Sequence, residues 1–393
     1  MHDLELSLSY ILNHLGEDRE NHRGAVTPPI YQTSNFAFPS VAAMRAAGRD
    51  ELANTFYTRG NNPTVEILRR KLAALERTED ALVFSSGAAA IAAAVLALVK
   101  RGDHVLCVQK PYSWTRALVR DWLPRFGVDF DFVDGEDLAQ IESSITDQTR
   151  LIVLESPNSL TMELQDLAAI ASFAKQRGIL TVCDNSYSSP LLQRPADLGI
   201  DLVVHSATKY LNGHSDVVAG VVCGSTELIG KIFRGPFMTF GAIPAPFEAW
   251  LMLRGLRTLA VRMDRVTATA RSVIEFLSAH PKVERIYYPG SAHDPRAALA
   301  MAQSKGGSGL FSVTLTAADP AAIERFSDSL KLFLMAVSWG GHESLQWPLA
   351  VLLRDNRIDS NPTSVPWNLV RLSIGLEDAA DLIADLENAL AQI

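Results

Sequence analysis

The sequence is poor in several things, and each shortage excludes something. It has three cysteines, Cys107, Cys183 and Cys223, each inside an apolar stretch. An odd set without metal-type spacing speaks against a disulfide framework or a zinc site, and reads as buried thiols of a reducing compartment. No apolar run is long enough to span a membrane. The opening MHDLELSLSYILNHLGEDRENHRG carries early acids and no apolar core followed by a cleavage site, so no signal peptide is expected and the cytoplasm is the expected location. Positive charge is not in excess. With 36 basic and 44 acidic residues the net charge is -8, which removes a general attraction to nucleic acid or to an anionic membrane. No Gly-x-Gly-x-x-Gly opens the first βα unit, which speaks against a nicotinamide enzyme. His205 and His214 flank Lys209, but no further ligands accompany them, so no metal is expected and both read as structural.

What is present suits an enzyme-sized globular protein. The 393 residues, 48% hydrophobic and 20% charged, suggest two domains and an extra arm. Residues 1–60 are irregular and punctuated (TPPIYQTSNFAFPS, FYTRGNNPT). Their aromatics favour an arm that packs on something over a disordered tail. TVEILRRKLAALER places Val65, Leu68, Leu72 and Leu75 on one helical face. Seven short apolar runs then alternate with helical stretches: ALVF, HVLCVQ, DFDFV, LIVLE, ILTVCD, DLVVHS and VAGVVC. Runs apolar on both faces predict a mostly parallel sheet between helices, with polar residues gathered beyond the strand ends. One long helix is expected over 246–279. VERIYYP, GLFSVTL, LVRLSIG and the terminal LEDAADLIADLENALAQI predict a smaller α+β domain.

Several residues can carry chemistry. Lys209, in HSATKYLNG, follows a buried strand and opens a polar turn, where a drying cleft can deprotonate an amine for attack on a carbonyl. Asp184 ends the preceding apolar strand and is either a helix cap or the partner of a cationic ring nitrogen, the pair that pyridoxal phosphate requires. The SSG of 85–87, opening a helix, is an N-cap or an anion site, to which Ser206 and Thr208 add hydroxyls. Tyr57 and Arg59, two apart in an extended segment, point the same way and suit phosphate. Tyr112 can stack on a flat ring. Arg371 is a charge inside an apolar strand, to be met by a substrate carboxylate or a structural ion pair.

YTRGNNPT, FSSGAAA, ESPNSLTMEL, VCDNSYSSP, HSATKYLNGHSD, LRGLRTLAVRM, SWGGHESL and RLSIGLED occur in that order. As a set they resemble the Cys/Met-metabolism family of pyridoxal phosphate enzymes, over residues 20–393. The resemblance implies the fold type I architecture of aspartate aminotransferase: an α/β large domain on a mostly parallel seven-stranded sheet and a smaller α+β C-terminal domain. It implies an arm over 1–60 that reaches a neighbouring subunit, a cofactor domain over 61–250 and a small domain over 251–393, assembled as a homotetramer from two tight dimers. By the same resemblance Lys209 carries the cofactor, Asp184 meets the ring nitrogen, Tyr112 stacks on the ring and takes part in proton transfer. Ser86, Gly87, Ala88, Ser206 and Thr208 hold the phosphate, with Tyr57 and Arg59 donated by the adjacent subunit. Arg371 binds the substrate carboxylate, and the loop Val337, Ser338 and Trp339, with Tyr57, lines the substrate.

The partner is then a small sulfur amino acid. The expected reaction is β-elimination of L-cystathionine to homocysteine, pyruvate and ammonia. Ser159 and Leu160 stand where γ-acting members usually have Asn-Pro, and Val337 stands where they commonly have Glu. GAIPAPFEAWLMLRGLRTL looks more like those γ-enzymes, so a γ-lyase, γ-synthase, methionine γ-lyase or sulfhydrylase is the alternative, although Trp114 stands near the position where methionine γ-lyases carry a reactive cysteine, which speaks against that member. A non-catalytic protein of the same fold is the remaining alternative.

Overall fold

The computed structural model describes residues 7–289, 291, 294 and 296–393. All seven apolar runs are strands: β1 (Asp80–Phe84), β2 (His104–Val108), β3 (Asp129–Val133), β4 (Thr149–Glu155), β5 (Leu180–Asp184), β6 (Leu202–His205) and β7 (Gly220–Gly224). They form one sheet in the order β1-β7-β6-β5-β4-β2-β3. β7 is antiparallel to both its neighbours and the other pairings are parallel, so β1 to β6 all point one way. Alternate residues feed opposite faces. Ala81, Val83, Val203 and Val221 enter one core, while Leu82, Phe84, Leu202 and Val222 enter another.

The helix Pro63–Glu76 begins with Asn62, whose side chain accepts from Thr64 N–H at 3.0 Å, and with proline at its first position. Val65, Leu68, Leu72 and Leu75 are buried as the periodicity predicts, each contributing about 1.5–3 kcal/mol. Lys71 on the same helix is fully buried as well. It donates to the carbonyls of Ile11 and Leu12 at 2.9 and 3.1 Å and pairs with Glu17 at 3.1 Å. The first helix, Leu8–Asn13, is thereby fixed to its own chain.

A second sheet holds β8 (Val283–Tyr287), β9 (Leu310–Leu315), β10 (Leu334–Met335), β11 (Leu345–Pro348) and β12 (Leu369–Ser373), in the order β10-β11-β12-β9-β8. The C-terminal helix Ala379–Leu390 buries Leu382, Leu386 and Leu390 in the core of this sheet.

The helix expected over 246–279 is two: Pro246–Arg257 and Leu259–Ser278, broken at Thr258 with φ -103° and ψ 4°. The apolar periodicity runs on through the break, so the pattern conceals it. At the break the chain meets a distant turn. Gly255 packs against Asn212, where a Cβ would meet the carbonyl oxygen at 2.3 Å. The buried Arg262 fills the notch, donating to Tyr210 O at 2.8 Å and Gly255 O at 2.9 Å. The second helix then serves both sheets. Leu259, Met263 and Val266 join the core of the first, and Ala270, Val273 and Leu277 that of the second. Cys107, Cys183 and Cys223 are buried free thiols. Among the described residues no helix is long and apolar enough to cross a membrane.

Candidate active site

Because β1 to β6 share a direction, their carboxyl ends share an edge. There β4 ends at Glu155, β5 at Asp184 and β6 at His205, which leads into Ser206–Lys209. β1 leads into Ser86 and Gly87, and β2 leads into Tyr112.

Lys209 sits in a tight turn, its N–H bonded to Ser206 O at 3.0 Å. Its Nζ donates to Ser338 Oγ at 2.7 Å and lies 5.4 Å from the centre of the Trp339 ring. Burial, then the charge of Arg371, lower its pKa to about 8, while Asp184 opposes the shift. Gly340 brings this loop close. Its φ is +81°, and a Cβ there would stand 2.9 Å from Tyr210 N and 3.2 Å from Lys209 Cβ.

Asp184 accepts from Ser186 N–H at 2.9 Å and from Ser186 Oγ at 2.5 Å, both at Oδ1. Its Oδ2 has no hydrogen-bond partner among the described residues. Burial raises its pKa, against the Ser186 bonds and the charges of His205 and Lys209. Ser186 Oγ also accepts from Ser206 N–H at 2.6 Å, tying two strand ends together. His205 is held by buried Glu76, Nε2 to Oε1 at 2.5 Å.

The helix Gly87–Leu98 starts beside this turn. Ser86 caps it by accepting from Ala89 N–H at 3.1 Å, and the N–H groups of Gly87 and Ala88 have no partner among the described residues. A Cβ on Gly87 would lie 2.8 Å from Ser206 Cα, so only glycine lets the two segments touch. The Ser206 hydroxyl is likewise unengaged. That of Thr208 is committed, donating to Ala219 O at 3.1 Å and accepting from Ala219 N–H at 3.0 Å.

Tyr112 is 42% exposed, and burial, then Asp184 and Glu155, raise its pKa. Glu155 is register-paired with Asp184, and burial, then the Asp184 charge, push its pKa up to about 8. Arg371 is buried on β12, opposite Trp347 in register. It donates to Val337 O at 2.5 Å and Ser159 O at 3.3 Å and has no carboxylate within ion-pair distance among the described residues. Of the two partners expected for Arg371, the structural ion pair is therefore not made. Val337 itself is 73% exposed.

Tyr57 and Arg59 stand apart from this group. Both are exposed, and no hydrogen bond or ring contact joins them to Lys209, Asp184, Tyr112 or Arg371. The segment is not extended as expected: it turns after Tyr57, with Gly60 N–H bonded to Tyr57 O at 2.8 Å, and the turn lays the Arg59 guanidinium 5.2 Å from the Tyr57 ring centre. Glu155, Ser186 and Gly340 were not singled out by the sequence. A serine two after an aspartate is a turn signature, but it does not give the pairing.

The model of the "Cys/Met metabolism PLP-dependent enzyme" family matches residues 10–391. This chain belongs to that family. It is 41% identical over 380 residues to an L-methionine gamma-lyase of Pseudomonas putida, covering 96% of this chain and 95% of the relative. It is 39% identical to the cystathionine beta-lyase MetC of Bacillus subtilis, over 94% and 93% of the two chains. The crystal structure of metB from Corynebacterium glutamicum superposes with a TM-score of 0.90 at 36% identity, covering 98% of each chain. The fold is therefore the α/β architecture of pyridoxal phosphate enzymes, and the chemistry is that of carbon–sulfur lyases and synthases.

Proposed function

We propose that the protein is a carbon–sulfur lyase that eliminates the thiol of a sulfur amino acid from Cβ, with L-cystathionine as the substrate and homocysteine, pyruvate and ammonia as products. The residues present fit pyridoxal phosphate. Lys209 would carry it, the free Oδ2 of Asp184 suits its ring nitrogen, and Tyr112 its ring face. The unpartnered N–H groups of Gly87 and Ala88, with the Ser206 hydroxyl, suit its phosphate. When bound, the cofactor supplies an electron sink for charge left at the substrate Cα. Asp184, its Oδ1 held by Ser186, would set its free Oδ2 against the ring nitrogen and hold a proton there. Arg371, buried without a carboxylate of its own, orients the substrate carboxylate. The Lys209 amine, positioned by Ser338, takes the Cα proton.

One observation supports the β reading: Ser159 and Leu160 stand where γ-acting members usually have Asn-Pro, and Val337 where they commonly have Glu. A second reading, γ-elimination of a thioether such as methionine, is favoured by the 41% identity to a methionine γ-lyase. Product analysis separates them. L-cystathionine giving pyruvate and homocysteine supports the first; 2-oxobutyrate and cysteine, or methanethiol from methionine, sinks it.

The exposed Tyr57–Arg59 pair supports a site completed by a neighbouring copy, within a dimer of dimers. In that reading residues 1–60 are the arm, 61–250 the cofactor domain and 251–393 the small domain. Mixing Arg59→Ala and Lys209→Ala subunits under demonstrated exchange restores activity if the sites are shared.

A further inference from the structure

Glu155 takes no part in the chemistry above, yet it touches two of its arms. The side chain closes β4, directly beside Asp184 in register, and the residue is 6% exposed. Its Oε2 accepts from Tyr112 N–H at 2.5 Å and its Oε1 from Ser159 N–H at 3.1 Å. Ser159 O in turn accepts from Arg371 Nη1 at 3.3 Å. One carboxylate thus ties the segment after β2 to the loop after β4, and through that loop to β12 of the other sheet.

Two N–H donors require two acceptor oxygens. An ionised carboxylate supplies both, and an amide supplies only one, turning a donor toward the other N–H. Around Glu155 stand one like charge, Asp184 on β5, and one opposite charge, Arg371 on β12, with the Tyr112 phenol and the thiols of Cys107 and Cys183 beside it.

We propose that Glu155 is a positioning residue: by accepting from Tyr112 and Ser159 together, it fixes the guanidinium of Arg371 relative to the ring-facing tyrosine and so sets the affinity for the substrate carboxylate. This rests on the reading of Arg371 as the carboxylate site, and not on which carbon loses its sulfur.

The test compares two unreactive probes on the holoenzyme, L-norleucine and n-pentylamine, which differ by the carboxylate. Binding is read from the visible absorbance of the bound cofactor. Measurements are made one pH unit above the value of about 8 to which burial pushes Glu155, so that the wild-type carboxyl is ionised. Arg371→Ala is measured in parallel and is expected to abolish the preference for norleucine. Glu155→Gln is expected to cut that preference about tenfold while leaving pentylamine affinity unchanged. Amide hydrogen exchange at Tyr112 and Ser159 is expected to quicken. A purely structural role would weaken both probes alike. If Glu155→Gln keeps the wild-type preference while Arg371→Ala loses it, the positioning role is overturned and the carboxylate site stands. If Arg371→Ala keeps the preference, the carboxylate site falls and the positioning role with it. Glu155→Asp, which retains the charge one methylene shorter, carries the same comparison should the glutamine variant not fold.

Discussion

Lys209 Nζ donates to Ser338 Oγ at 2.7 Å across 129 residues of sequence, so the amine on the large sheet is aimed by a hydroxyl from the small one. Neither group has a fixed direction without the other: a lysine amine rotates freely, and a hydroxyl follows its loop. Ser338→Ala is expected to lower kcat about tenfold with little change in cofactor content, the loss of one hydrogen bond to a charged or reacting group. Steady-state kinetics and absorbance together check this, and loss of cofactor without loss of kcat would contradict it.

Lys209→Ala removes the base and the cofactor anchor together. Turnover is expected to fall by about 10³-fold or more, and the visible band of the wild-type holoenzyme to be lost or displaced. An unchanged spectrum with normal product formation would move the chemistry to another residue.

The Lys209 amine has its own pH signature in the cofactor-free protein. Burial and the Arg371 charge both disfavour the ammonium, so its pKa falls, to about 8. Below that value the amine is protonated and inert; above it the amine is free. Acylation by a small amine reagent, followed at this residue by mass spectrometry, is expected to rise through pH about 8. Exposed lysines should rise near about 10.4. Coincident profiles would contradict a desolvated amine.

Asp184→Asn preserves shape and removes charge. Cofactor retention is expected to change little, because the phosphate-facing groups are untouched, while kcat falls by about 10²-fold or more. Equilibrium dialysis of the cofactor beside single-turnover rates distinguishes this from a folding defect.

Gly340→Ala tests the contact between the two sheets. At φ +81° a side chain costs about 1–2 kcal/mol, and here it also meets Tyr210 N at 2.9 Å. Denaturant midpoints are expected to fall by at least that energy and kcat to fall as well, since Ser338 lies two residues away. A stable and fully active variant would mean that the loop is not seated against Lys209.

The elements legible in the sequence are those whose signal is local. Seven apolar runs are seven strands, and the helix after Asn62 buries the face that its periodicity marks. Lys209, Asp184 and Arg371 stand out because each is a charge set against an apolar strand. Glu155, Ser186 and Gly340 do not, because their roles arise from register and from contacts between distant segments. Glu155 accepts from Tyr112 and Ser159, which lie in two different loops, and Gly340 meets a turn 130 residues earlier. The break at Thr258 escapes for the same reason, since it accompanies the packing of Gly255 against the distant Asn212.

The helix Leu259–Ser278 has one more consequence. Its first half is part of one core and its second half part of the other. A fragment cut before residue 259 would strip Leu259, Met263 and Val266 from the core of the larger sheet, whereas a cut after 266 leaves them there and severs the helix between the residues that serve the two cores. One rod thus carries the wall of both cores, and a substitution that breaks the helix near residue 266 is expected to disturb the two sheets together.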